Sequence, residues 1–139
     1  MAEAGSPNKL KHLDYLQAVI ARMAQNSFLF KGWAVTLASG LSAYGVTKSD
    51  RLVLLMPIVT TLLFWGLDGY YLWLERAFVK LYDRVTQMTE AEIDFAMRPD
   101  KDAAFSRWLR TCLRPHLMAL YGTMIFVLVI GTCKVRSGG

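Results

Sequence analysis

An aspartate in the middle of a long apolar run is the first residue whose type and setting call for chemistry. Asp68 stands in the stretch Leu52 to Trp73, LVLLMPIVTTLLFWGLDGYYLW, about four residues from its end on a helical count. An ionisable group inside a membrane-length apolar helix is costly and takes a partner. The preceding weaker apolar stretch, Phe28 to Val46, carries Lys31 near its start. In an antiparallel hairpin the two charges reach the same level. Two readings follow: a Lys31–Asp68 pair that fixes helix register, or, in an oligomer, a charged ring at the mouth of a pore. The hydroxyls Thr36, Ser39 and Ser42 divide the same way, as packing surface for the next helix or as the lining of a narrow polar path. A single chain with three spans cannot enclose such a path, so a pore requires an oligomer.

Arg107, Arg110 and Arg114 form a second constellation. On a helix they fall within about 70° of arc, with Phe105, Trp108 and Leu109 opposite. One reading is an interfacial helix whose aromatics enter the headgroup zone and whose arginines meet anionic lipid. The other is an anion site for a nucleotide or nucleic acid, which Arg84 and Arg76 would join. Other chemistry has little support. His12 and His116 lack a partner pattern, and there is no Cys/His ligand spacing, nucleophile elbow or phosphate-binding glycine loop. Glu90, Glu92 and Asp94 resemble a metal site only superficially; a helix cap and a negative first turn explain them better. The expectation is a protein that is not an enzyme, with no cofactor and no metal.

The elements that must position these residues are all helical. The chain has 139 residues, 54% of them hydrophobic and only 19% charged. That allows one domain, excludes disorder and argues against an ordinary soluble enzyme. Residues 1–8 read as a disordered leader without the features of a signal peptide. Residues 9–30 read as an amphipathic helix with Asn8 as N-cap and Leu13, Leu16, Val19, Ile20, Met23 and Ala24 on one face. In the first span, Gly32, Thr36, Gly40 and Ala43 recur as a small-residue packing face. A polar turn follows, with Asp50 capping the next helix. The second span, Leu52 to Trp73, has Pro57 in its second turn and an aromatic belt of Trp65, Tyr70, Tyr71 and Trp73. Its helical period continues to Val85. Thr89 to Glu92 is a capping box that predicts a short helix ending before Pro99. A further helix is expected over 101–114, broken by Pro115. The third run, His116 to Cys133, is just long enough to span, or re-enters. The expected architecture is an all-α integral membrane protein of about three transmembrane helices. It divides into a leader 1–8, an amphipathic helix and transmembrane hairpin 9–74, a cytoplasmic helical segment 75–114, a third transmembrane or re-entrant helix 115–133 and a tail 134–139.

Orientation follows from lysine and arginine. Twelve basic residues lie in the N-terminal segment and between spans two and three, against four in the first turn and the tail. The positive-inside rule puts the N-terminus and 75–114 in the cytoplasm. Cys112 and Cys133 then lie at opposite ends of the last span and cannot pair.

The residues Asn26-Ser27-Phe28 with Lys31-Gly32-Trp33, then Phe64-Trp65-Gly66-Leu67-Asp68-Gly69-Tyr70-Tyr71-Leu72, Glu75-Arg76 and Leu81-Tyr82, carry a resemblance. Over about residues 20–86 the chain resembles small bacterial transmembrane effectors of anti-phage defence, such as the channel-like effector of Hailong systems. In those systems a nucleotidyltransferase makes DNA oligomers that hold the effector shut. The resemblance implies a homo-oligomeric, ion-channel-like effector in the bacterial inner membrane whose opening depolarises the cell. It makes Lys31 and Asp68 pore or gate candidates. The arginine stripe, outside the matching stretch, would meet an anionic nucleotide or single-stranded DNA made by a partner enzyme. The rival readings are a non-conducting membrane adaptor and a small transporter using Asp68 in proton coupling.

Overall fold

The computed structural model describes residues 7–48, 51–99 and 104–137. Asp50, as a cap, and the leader up to Ser6 lie outside the described residues. Those described form four helices: α1 (Pro7–Lys48), α2 (Arg51–Gln87), α3 (Ala104–Cys112) and α4 (Pro115–Ser137), with one 3-10 turn at Glu90–Glu92. There is no strand among them. α1 begins at Pro7, so Asn8 sits inside the helix and is not its cap. Proline suits the first helical position because its φ is preset and its missing N–H would have no helical partner there.

α1 is a single helix of 42 residues in which the amphipathic half runs without a break into the apolar half. α1 and α2 pair antiparallel along their lengths. At the turn end Gly45 faces Leu54, where a Cβ would stand 3.1 Å from Leu54 Cδ2. At the open end Lys9 Nζ donates to Thr86 O (3.2 Å) in the last turn of α2 and to Met88 O (2.7 Å) just beyond it. Between them Leu16, Phe78, Val85 and Ile93 form a core with Leu13, Val19 and Ile20 packed on it. The amphipathic face is thus the expected one, except that Ala24 is exposed. Leu16 is fully buried. Leu16→Ala is expected to cost about 2–5 kcal/mol, checked by a lower unfolding midpoint in detergent and faster proteolysis at Phe95.

The short helix expected after the capping box does not form. Glu92 Oε2 does accept Thr89 N (2.9 Å), but winding stops after one turn. Ile93 is drawn into the core, Asp94 Oδ1 accepts Ala96 N (3.0 Å), and Phe95 takes a left-handed φ of 55° with its ring edge-on to His12. Those long-range contacts outweigh local helix propensity. The helix expected over 101–114 is described over Ala104–Cys112; residues 101–103 lie outside the description. α4 follows at once: Met118 N donates to Arg114 O (2.9 Å), and Pro115 opens the helix.

Two helices are long and apolar enough to cross a membrane, α2 from Leu52 and α4 over Pro115–Val135. Only 22% and 11% of their apolar windows are buried. Leu63, Phe126 and Val127 are exposed. A core helix of a water-soluble protein would be mostly covered; bare apolar faces of this size point to a lipid surround. α1 is not among the two, since Lys31 and a run of small and hydroxylated residues dilute its apolar half.

The small-residue face is placed differently from expectation. Gly32, Thr36, Gly40 and Ala43 are all exposed, and a Cβ on Gly32 or Gly40 would meet nothing. α1 buries Ser27, Ala34, Ala38 and Gly45 instead. The reason is the Lys31–Asp68 pairing described below, which sets the rotation of α1 about its axis. The aromatic belt is also rearranged. Tyr70 faces outward, whereas Trp73 is buried and Trp65 stacks on Tyr121.

Candidate functional site

Asp68 is fully buried at the meeting of α1, α2 and α4. Lys31 Nζ lies 2.7 Å from its Oδ2 and 2.9 Å from its Oδ1. Ser27, one turn before Lys31, donates its hydroxyl to Oδ1 and accepts Lys31 Nζ at 2.8 Å. Tyr121 OH donates to Oδ2 at 3.1 Å. The carboxylate therefore has donors from two other helices, which is the condition under which a buried charge is tolerated. Lys31 keeps 28% of its side chain exposed, so the pair has one wet edge. Both gate candidates are thus brought together, as a charge pair within one chain.

Of the three hydroxyl residues only Ser39 and Ser42 come together, away from the charge pair. Thr36 is on the outer face of α1 and its Oγ1 donates to Gly32 O at 2.9 Å. Ser39 and Ser42 line a separate apolar cleft of about 400 Å³ between α1, α2 and α4, with Pro57 and Val127 among its walls. Ser42 Oγ donates to Ala38 O at 2.7 Å.

α3 lies across α2 beside Asp68. Trp108 Nε1 donates to Gly66 O (3.0 Å), and Trp65 Nε1 donates to Cys112 O (2.9 Å). Cys112 is buried and its sulfur covers Gly69 so closely that a Cβ there would overlap it and stand 3.5 Å from the Cys112 Cα. Glycine at 69 is what lets the two helices approach; at Gly66 a Cβ would meet the Trp108 ring only at an ordinary contact distance of 3.6 Å. Burial pushes the Cys112 thiol up from its ordinary range. Gly69→Ala is expected to weaken this docking by about 1–3 kcal/mol, read as faster maleimide alkylation of Cys112 in a Cys133→Ser background. Trp108, expected to face the headgroups with Phe105 and Leu109, turns inward; Phe105 and Leu109 are exposed as expected.

The arginine stripe faces a groove of about 480 Å³. α3 and its C-terminal junction contribute Arg107, Arg110, Thr111 and Arg114; α2 contributes Trp73, Arg76, Lys80 and Arg84. No carboxylate is among the described residues lining it. Burial, and then the neighbouring Arg114 guanidinium, push Arg76 below its ordinary range, while Glu75 acts the other way. The groove therefore concentrates positive charge, with Arg76 partly buried and the other cations exposed, suited to a multiply charged phosphate-bearing anion.

Ser27, Tyr121 and Lys80 were not read from sequence as site residues, and Trp73 was read only as part of the aromatic belt. Ser27 sits four residues before Lys31, and Arg76, Lys80 and Arg84 recur every four, so both had a helical-spacing signal. Tyr121 had none. Of the acidic cluster, Glu92 and Asp94 accept local hydrogen bonds. Among the described residues no three His, Cys, Asp or Glu side chains could hold a metal ion. No protein-family model, no curated protein and no solved structure matches this chain.

Proposed function

We propose that this protein is a homo-oligomeric, ion-conducting membrane effector of bacterial anti-phage defence, controlled from its cytoplasmic side by an anionic nucleotide or single-stranded DNA. The observation that carries the reading is the basic groove: five arginines and a lysine from α2, α3 and the junction after α3 line one groove, and α3 also packs on α2 next to the buried Asp68.

Three further features support it. Because α1 pairs with α2 down to Gly45 and Leu54, a membrane crossed by α2 would hold the apolar half of α1 at the same depth, which supports three spans with α4. The lysine and arginine distribution then sets the N-terminus and the groove in the cytoplasm of a cell bounded by the inner membrane. The bare face of Gly32, Thr36, Gly40 and Ala43 is suited to close packing against a second copy, which a conducting path requires. Lys31, on the wet edge of its pair, would stand at the mouth of that path.

The test is ionic current through the purified protein in a planar bilayer, with and without short single-stranded DNA. The expected result is a current that DNA changes. Current indifferent to DNA removes ligand control; no current from an intact oligomer removes the pore and leaves a membrane adaptor.

A further inference from the structure

The groove and the Asp68 network lie on two sides of one short helix. On one side of α3, Arg107 and Arg110 close the groove over Arg76, Lys80 and Arg84. On the other, Trp108 is bonded to the carbonyl two residues before Asp68, and Cys112 covers the residue after it. The far end of α3 is joined to α4 through Arg114, whose carbonyl accepts Met118 N, and α4 carries Tyr121 to the Asp68 carboxylate. Trp65 closes the loop, donating to Cys112 O while its ring stacks on Tyr121 at 6.1 Å. α3 is only nine residues long and leaves Phe105 and Leu109 uncovered, so little apolar burial holds it down. Its docking also puts Arg114 on the groove that Arg76 lines, and an anion there would relieve the repulsion between the two guanidinium groups.

We propose that α3 is the coupling element between the two sites: a phosphate-bearing anion in the groove clamps α3 onto α2, and Trp108 and Trp65 act as positioning residues that transmit this clamping to Asp68 and Tyr121. The anion can shift α3 only by binding the docked arrangement better than the undocked one. This deepens the groove reading and rests on it. The added claim is the path through the two indoles.

Cys112 supplies the probe, because its sulfur is covered only while α3 is docked on Gly69. The Cys133→Ser protein in phosphatidylcholine vesicles is reacted with a maleimide, with and without inorganic tripolyphosphate, whose binding is followed separately by equilibrium dialysis. Tripolyphosphate is expected to slow Cys112 alkylation about tenfold or more, with no slowing in Arg107→Gln/Arg110→Gln. Trp108→Phe keeps an aromatic ring, though a smaller one, but loses the indole N–H; it is expected to bind tripolyphosphate while its Cys112 stays fast. Circular dichroism checks that each variant keeps its helices. Vesicles containing phosphatidylglycerol form a second arm: slowing without tripolyphosphate supports the coupling with a lipid headgroup as the anion. Tripolyphosphate bound without slowing, or equal slowing in Trp108→Phe, overturns the coupling and leaves the groove as a ligand site. Absence of binding or slowing with either anion overturns both.

Discussion

Lys31→Met is expected to destabilise the protein by about 3–5 kcal/mol, because it strands a carboxylate that has no exposed surface. Asp68→Leu is expected to cost less, about 1–3 kcal/mol. It leaves Ser27 and Tyr121 without their acceptor, but Lys31 has an exposed edge from which its ammonium can turn toward water. The double variant is expected to recover most of the loss, since two apolar side chains replace two charges and neither is left alone. The measurement is a double-mutant cycle of unfolding in mixed detergent micelles, followed by circular dichroism. A coupling energy near zero would mean that the pair contributes no more than its separate members. A charge swap separates the two roles of these residues. If Lys31→Asp with Asp68→Lys restores both fold and current, the pair acts through helix register. If it restores the fold but alters ion selectivity, Lys31 also faces the conducting path.

Neutralising the groove is the second large effect. Arg107→Gln with Arg110→Gln removes two charge-assisted hydrogen-bonding groups worth about 1.5–3 kcal/mol each. Affinity for a short single-stranded oligonucleotide is therefore expected to fall about 100-fold or more. The salt dependence of binding should become shallower by about one unit of slope for each phosphate that is no longer neutralised. Lys48→Gln, at the turn end of the hairpin, serves as the control, because that lysine lies over Tyr44 and lines no part of the groove. Fluorescence anisotropy of a labelled oligonucleotide at several salt concentrations checks both outcomes. Equal weakening in the control and the arginine variant would show that total charge, not the groove, attracts the ligand.

These two sites were unequally legible. The pairing of Lys31 with Asp68 follows from hairpin geometry and the cost of an uncompensated charge, both of which are present in the residue order. Its third helix was not legible: Tyr121 lies 53 residues from Asp68, and nothing local marks it as a donor. The arginine stripe was visible as a helical face. That it forms one wall of a groove, with Arg76, Lys80 and Arg84 as the other, depends on where α3 lands on α2. Gly69 permits that landing, and a glycine in a helix carries no signal of what will approach it.

Residue order alone determined the helical class, the apolar segments, the amphipathic N-terminal face and the segregation of basic residues. These depend on period and composition, which are local. Tertiary structure decided the rotation of α1, the arrest of the chain after one turn at Glu92 and the inward turn of Trp108. In each case one long-range interaction outweighed a local preference. Burying the Asp68 charge pair governs the first. Drawing Ile93 and Phe95 onto the hairpin governs the second, and satisfying an indole N–H on a glycine carbonyl governs the third.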